Sequence, residues 1–134
     1  MNENTIEHTG GCLCGAIRYT VHGDPTYSGN CHCCDCRRAI GAGVVTWIGV
    51  KPENFEVTSG EVSYCETSPG AKRGFCGRCG SSLTMTAEGF TDVAVTAGSL
   101  DDPEVAKPES NVFLDHKPSW IVINASLRNY DLAP

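Results

Sequence analysis

Apolar and polar residues alternate in short runs along much of the chain, the period of a half-buried β-strand. Ile17, Tyr19 and Val21 alternate with Ala16, Arg18 and Thr20. Residues 44–50, Val-Val-Thr-Trp-Ile-Gly-Val, are apolar nearly throughout and predict a more deeply buried strand. Residues 55–58 and 62–66 flank Ser59-Gly60-Glu61, a turn signal that predicts a hairpin. Residues 83–86, 92–96 and 112–114 predict three further strands. Helical periodicity is weak, amounting to one turn after Cys36 and one near residues 119–122. The 15 Gly and 7 Pro are scattered as turn punctuation and mark no linker or repeat. The pattern predicts an all-β fold of packed antiparallel sheets with long loops. A chain of 134 residues suits a single domain, 1–134.

Charge and composition narrow the function. Ten Lys+Arg against 16 Asp+Glu leave a net charge of −6, which argues against a general nucleic-acid binder. No apolar run approaches the roughly 18 residues that span a bilayer. Residues 1–8 have neither a basic start nor an apolar middle, so no secretory signal is read and the expected location is cytoplasmic. Disulfides rarely persist there. Nine cysteines, an odd number, cannot all pair within one chain. Metal binding is the remaining use.

Eight of the nine cysteines fall in three groups: Cys12-Leu13-Cys14, Cys31-His32-Cys33-Cys34-Asp35-Cys36 and Cys76-Gly77-Arg78-Cys79-Gly80. A C-x-x-C turn aims two sulfurs at one point, and Gly80 permits the tight positive-φ turn that follows. In extended chain a C-x-C pair puts both sulfurs on one face. Cys12, Cys14, Cys76 and Cys79 therefore predict one closed, four-thiolate zinc site. In the middle group Cys31 with Cys33-x-x-Cys36 supplies three thiolates, and Cys31-x-x-Cys34 is equally legal on spacing. Either choice gives three local ligands and no obvious fourth, the pattern of a reactive zinc with an open position. His32 lies between expected ligands, so in extended chain it points the other way. Cys65, in a predicted strand, reads as a small buried side chain. Arg18, Arg37, Arg38, Arg73 and Arg78 all lie within four residues of a clustered cysteine. There they could offset the charge of zinc–thiolate centres.

These motifs carry a family resemblance. Gly11-Cys12-Leu13-Cys14-Gly15-Ala16-Ile17-Arg18-Tyr19, Cys31-His32-Cys33-x-x-Cys36-Arg37-Arg38, Phe75-Cys76-x-x-Cys79-Gly80 and His116-Lys117-Pro118-x-Trp120 resemble the glutathione-dependent formaldehyde-activating enzyme family, which includes centromere protein V-like proteins. The resemblance runs from about residue 10 to 130. It implies a β-tent fold, a structural zinc on Cys12, Cys14, Cys76 and Cys79, and a second, catalytic zinc on Cys31, Cys33 and Cys36. At that second zinc, glutathione and formaldehyde would form S-(hydroxymethyl)glutathione, a carbon–sulfur lyase chemistry. Asn111 stands where family members often carry His, so no role of that His transfers. Cys34 and Cys65 match no family ligand position. His32, Asp35 and His116 are candidate proton donors by residue type. Two rival classes are a structural zinc module that binds a protein partner and a thiol-based redox or metal sensor using Cys34. The expected partner is a small thiol, glutathione or an adduct of it, with no nucleic acid and no membrane.

Overall fold

The alternating segments form strands, and the way their two faces are covered sets the architecture. The structure, a computed structural model, describes residues 6–134. The segment read as carrying no secretory signal lies partly outside these, at residues 1–5. In chain order β1 (Glu7–Gly11), β2 (Arg18–His22) and β3 (Tyr27–Cys31) precede a helix, α1 (Cys34–Ile40). There follow β4 (Val45–Val50), β5 (Phe55–Ser59), β6 (Ser63–Ser68), β7 (Ala71–Phe75) and β8 (Ser82–Ala87). β9 (Val93–Thr96), β10 (Ser110–Val112) and β11 (Arg128–Asn129) complete the strands. β1, β2 and β5 form a three-stranded antiparallel sheet. The other eight strands form a second sheet in the order β11-β10-β3-β4-β9-β8-β7-β6. Its pairing is antiparallel except at β10, which runs parallel to both β3 and β11. The fold is all-β, as the alternation predicts.

β4 shows why residues 44–50 are apolar on both faces. Ile48 and Val50 join Tyr19, Val21, Leu83 and Val95 in the core between the sheets. Val45 and Trp47, on the alternate face, pack with Ala94 and with Cys36 of α1. Burying each such side chain contributes about 1.5–3 kcal/mol. Tyr19, 1% exposed, also sends its hydroxyl to Ser99 Oγ at 2.6 Å. Burial pushes its phenol up to about 12, so the group stays protonated as a partner. Tyr19→Phe keeps the ring and removes the hydrogen bond. It is expected to lower the unfolding free energy by about 1 kcal/mol, read from the denaturant midpoint at unchanged slope.

Several expectations are corrected. β5 and β6 do not form a hairpin: β5 pairs with β2, and β6 pairs with β7. Gly60, at φ +77, turns the chain from one sheet to the other, and a Cβ there would collide with the Ala16 carbonyl oxygen. Residues 112–114 are not one strand. β10 ends at Val112, and Phe113 takes a left-handed conformation at φ 57 before a short 3-10 turn at Leu114–His116. Near residues 119–122 there is only a turn, closed by the Ile121 N–H to the Pro118 carbonyl at 3.1 Å. Cys65 is exposed rather than buried, because β6 is the edge of the larger sheet and shows solvent almost its whole length. Among the described residues no helix is long and apolar enough to cross a membrane.

Candidate metal centres

The first cysteine group is built from two hairpin turns, one from each sheet. Cys12 and Cys14 occupy the turn between β1 and β2, which the Cys12 N–H closes to Ile17 O (3.1 Å) and the Gly15 N–H to Cys12 O (3.2 Å). They are thus in a turn, not in extended chain, yet their sulfurs converge at 3.6 Å and Leu13 points outward, 92% exposed. Cys76 and Cys79 occupy the turn between β7 and β8. There Gly80 takes the expected positive φ, +79, and its N–H reaches Cys76 O at 2.7 Å. Cys14 Sγ lies 3.8 Å from Cys76 Sγ. A tetrahedron with sulfurs about 2.3 Å from zinc has edges of about 3.8 Å, so these separations fit that ion. All four sulfurs lie within 4.8 Å of one another.

Backbone donors preset the charge. The Ile17 N–H points at Cys12 Sγ (3.2 Å) and the Cys79 N–H at Cys76 Sγ (3.4 Å). The hydroxyl and N–H of Ser81 push the Cys79 thiol down to about 5. Although the Ala16 N–H pulls the Cys14 thiol down, desolvation and the Cys12 and Cys79 sulfurs outweigh it and push that thiol up to about 11. Ser81 also accepts the Leu13 N–H at 3.0 Å, stitching the two turns together. Nothing in the sequence beyond its place after Cys79-Gly80 marks Ser81 for this role.

The second group sits where β3 runs into α1. Cys31 ends β3, and Cys33 is the helix N-cap, its sulfur accepting the Cys36 N–H at 3.3 Å. Cys36 faces inward from the first turns of α1, 3% exposed. The three sulfurs lie within 4.8 Å of one another, and neither Cys34 nor His32 joins them. The all-thiol donor set suits zinc. The Cys31 and Cys33 thiols, with Arg73 beside them, push the Cys36 thiol down to about 2. Cys31 is held well above the ordinary thiol range by its contacts with Cys33 and Cys36 and by burial.

The arginines divide. Arg73 Nη2 donates to Cys36 Sγ at 3.8 Å, and its Nη1 is buried without a partner, as is Arg37 Nε. Arg18 instead grips Asp101, with Nη1 3.0 Å from Oδ1 and Nη2 on Oδ2. That contact, with the Thr9 hydroxyl, pushes the Asp101 carboxyl down to about 2. Arg38 and Arg78 are exposed.

Of the three candidate proton donors, Asp35 and His116 are exposed, and His116 Nδ1 lies 3.8 Å from Cys34 Sγ. His32 is 1% exposed, and its Nε2 meets Asn111 Oδ1 at 3.0 Å, which removes it from contact with a substrate. A cavity of about 620 Å³ lies beside the first cluster. It is lined by the Gly11–Leu13 and Gly80–Ser82 segments, by Ile40 and residues 44–46, and by Thr96, Gly98 and Ser99. The sulfurs of Cys31, Cys33 and Cys36 do not line it.

Comparison with known proteins identifies the family and the fold. A protein of Halomonas elongata named "Putative glutathione-dependent formaldehyde-activating enzyme" is 30% identical over 128 residues, covering 87% of this chain and 80% of that protein. A crystal structure of a Rhodobacter sphaeroides protein superposes with a TM-score of 0.61 at 17% identity, over 91% of this chain and 98% of the other, and so shares the fold. The sequence pattern of the glutathione-dependent formaldehyde-activating enzymes matches residues 7–116, a span that contains both cysteine clusters; the chain belongs to that family.

Proposed function

We propose that this protein is a zinc-dependent carbon–sulfur lyase of the S-(hydroxymethyl)glutathione synthase type. It would add the thiol of glutathione, or of a similar small molecule, to formaldehyde or another small aldehyde, or cleave the adduct. One observation carries the reading: among the described residues, one cluster brings together four sulfurs and the other three. Four close a structural zinc site, and three leave a position for a ligand from outside. Cys34 stands beside the second cluster without entering it, which counts against a closed, purely structural second site. The family and the relative's name support glutathione and formaldehyde as the reactants. The same reading takes the chain as one zinc-binding domain of the β-tent type.

In the reaction a carbon–sulfur bond forms as the carbonyl π bond opens onto oxygen. The thiol loses its proton, and the new hydroxyl gains one. Zinc bound by Cys31, Cys33 and Cys36 would supply an open coordination position that favours the thiolate form of the incoming sulfur. The chain's own residues do the rest. Arg73 offsets thiolate charge through its contact with Cys36. Asp35 and His116 are the exposed groups near α1 that could carry a proton to or from the adduct oxygen.

Elemental analysis should find two zinc ions per chain, and X-ray absorption should show added glutathione bringing a fourth sulfur to one of them. Exchange spectroscopy with 13C-formaldehyde should show faster exchange between free formaldehyde and its glutathione adduct when the protein is present. One zinc per chain, indifferent to glutathione, would sink the open-site reading.

A further inference from the structure

Between the two ligands Cys31 and Cys33 lies a buried imidazole, and the polar groups around it form a chain with a fixed direction. Asn129 Nδ2 donates to the Ala125 carbonyl at 2.9 Å. A carbonyl can only accept, so Asn129 Oδ1 must face the other way, where it accepts Asn111 Nδ2 at 2.9 Å. The Asn124 carbonyl, 3.5 Å from the same Nδ2, points to the same orientation. Asn111 Oδ1 is thereby turned toward Asn30 Nδ2 (3.2 Å) and His32 Nε2 (3.0 Å). Thr46 Oγ1 completes the line by donating to Asn30 Oδ1 at 2.6 Å. The line crosses four neighbouring strands, because Asn30 is paired with Thr46 and Asn111, and Asn111 with Asn129. Its direction is set at one end by a backbone group that has no alternative role. His32 therefore has to donate from Nε2, and its buried Nδ1 has no partner.

We propose that Asn111 is a positioning residue for the second metal site, acting through the Nε2–H of His32. Side chains alternate along extended backbone, so drawing His32 to one face commits Cys31 and Cys33 to the other, toward Cys36. Slippage by one residue would turn both sulfurs away. The backbone adds a second hold: Val112 is paired with Cys31, and the His32 N–H reaches Val112 O at 3.1 Å. Asn111 and His32 are each 1% exposed, so water cannot substitute for either partner without a rearrangement. Hydrogen-bonded groups that fix how ligands are oriented set metal affinity; Asn111 would do so through His32, the residue between two ligands, and not by touching a ligand itself. The role belongs to this chain's Asn111 and rests on reading Cys31, Cys33 and Cys36 as a metal site.

The test uses the zinc-loaded full chain labelled with 15N-histidine, together with zinc competition against a chromophoric chelator, with no glutathione or formaldehyde present. Long-range 1H–15N spectra should place the His32 hydrogen on Nε2; a hydrogen on Nδ1 would overturn the proposal. Asn111→Leu should weaken the second zinc by about 10- to 100-fold while the first stays bound. Equal affinity at both sites in wild type and variant would also overturn it. If Asn111→Leu loses the first zinc as well, Asn129→Ala decides. That change leaves His32 and its acceptor in place but frees the orientation of Asn111, and should weaken the second zinc roughly threefold to tenfold; no change would count against the proposal. A wild-type chain holding one zinc would overturn this proposal and the functional reading together. Two zincs with no formaldehyde exchange would overturn only the latter.

Discussion

Cys76→Ser is expected to cost the protein its first metal and its fold together. Cys76 is 2% exposed and belongs both to the four-sulfur cluster and to the core between the sheets. Serine is close to it in volume, so the change opens little cavity and tests the sulfur itself. The cluster joins the β1–β2 turn of the small sheet to the β7–β8 turn of the large one. Other polar ties near this junction are individually modest: the Leu13 N–H to Ser81 Oγ, the Tyr19–Ser99 hydroxyl pair, an isolated bridge between Gly10 and Leu100, and the exposed contacts of Asp101 with Thr9 and Arg18. Exposed ion pairs of that sort contribute about 0–1 kcal/mol. Structural zinc contributes on the order of 10–16 kcal/mol in small zinc-dependent folds, comparable to the whole stability of an ordinary domain, about 5–15 kcal/mol. The variant should show no cooperative thermal transition by circular dichroism, and a strong chelator should do the same to the wild type. A folded variant with an unchanged midpoint would show that the core alone holds the two sheets together.

The fold and the site are legible in the sequence where the deciding interactions are local. C-x-C and C-x-x-C each bring two sulfurs together locally, so the pairs Cys12/Cys14 and Cys76/Cys79 are legible from spacing, although the first does so through a turn and not the extended chain expected, and Gly80 marks its own turn. β4 is readable because both of its faces are buried in apolar surroundings. The failures share a cause. Ser59-Gly60-Glu61 announces a reversal but not which strand edges meet afterwards, and both β5 and β6 find partners elsewhere. β3, Tyr-Ser-Gly-Asn-Cys, has only a faint apolar alternation, Tyr27 and Cys31 separated by Gly29 on the face that packs with Trp47. Its Asn30 is matched by Thr46 on one neighbour and Asn111 on the other. A strand whose polar groups satisfy one another across the sheet leaves only a weak hydrophobic period to detect. The same cross-strand logic places His32 in the interior. Alternation turns it away from the three sulfurs, as observed, but nothing local names Asn111, 79 residues away, as its partner.

Cys33→Ser is expected to separate the two metal sites and to report how the second one works. Serine is among the best helix N-caps. Its hydroxyl can take over the bond that Cys33 Sγ accepts from the Cys36 N–H, so α1 should stay in place. What is lost is one of three thiolates. Zinc should fall from two per chain to one, with the thermal midpoint little changed. Cys65→Ser, an exposed position on the β6 edge, should keep both ions. The catalytic consequence depends on pH in a calculable way. A free thiol of pKa about 8.5 is about 3% ionised at pH 7, so complete ionisation at the site is worth roughly 30-fold there. At pH 8.5 half of the thiol is already ionised in solution, and the same advantage shrinks to about twofold. The ratio of wild-type to Cys33→Ser exchange rates should therefore fall by about an order of magnitude across that interval. A bound thiolate that is a weaker nucleophile lowers the ratio by the same factor at every pH and leaves that fall unchanged. Alignment of the aldehyde with the sulfur does not titrate, so its contribution survives as a constant factor at high pH. A ratio that stays flat from pH 7 to 8.5 would mean that the site only positions its reactants. A ratio near one throughout would leave the second metal no part in the reaction.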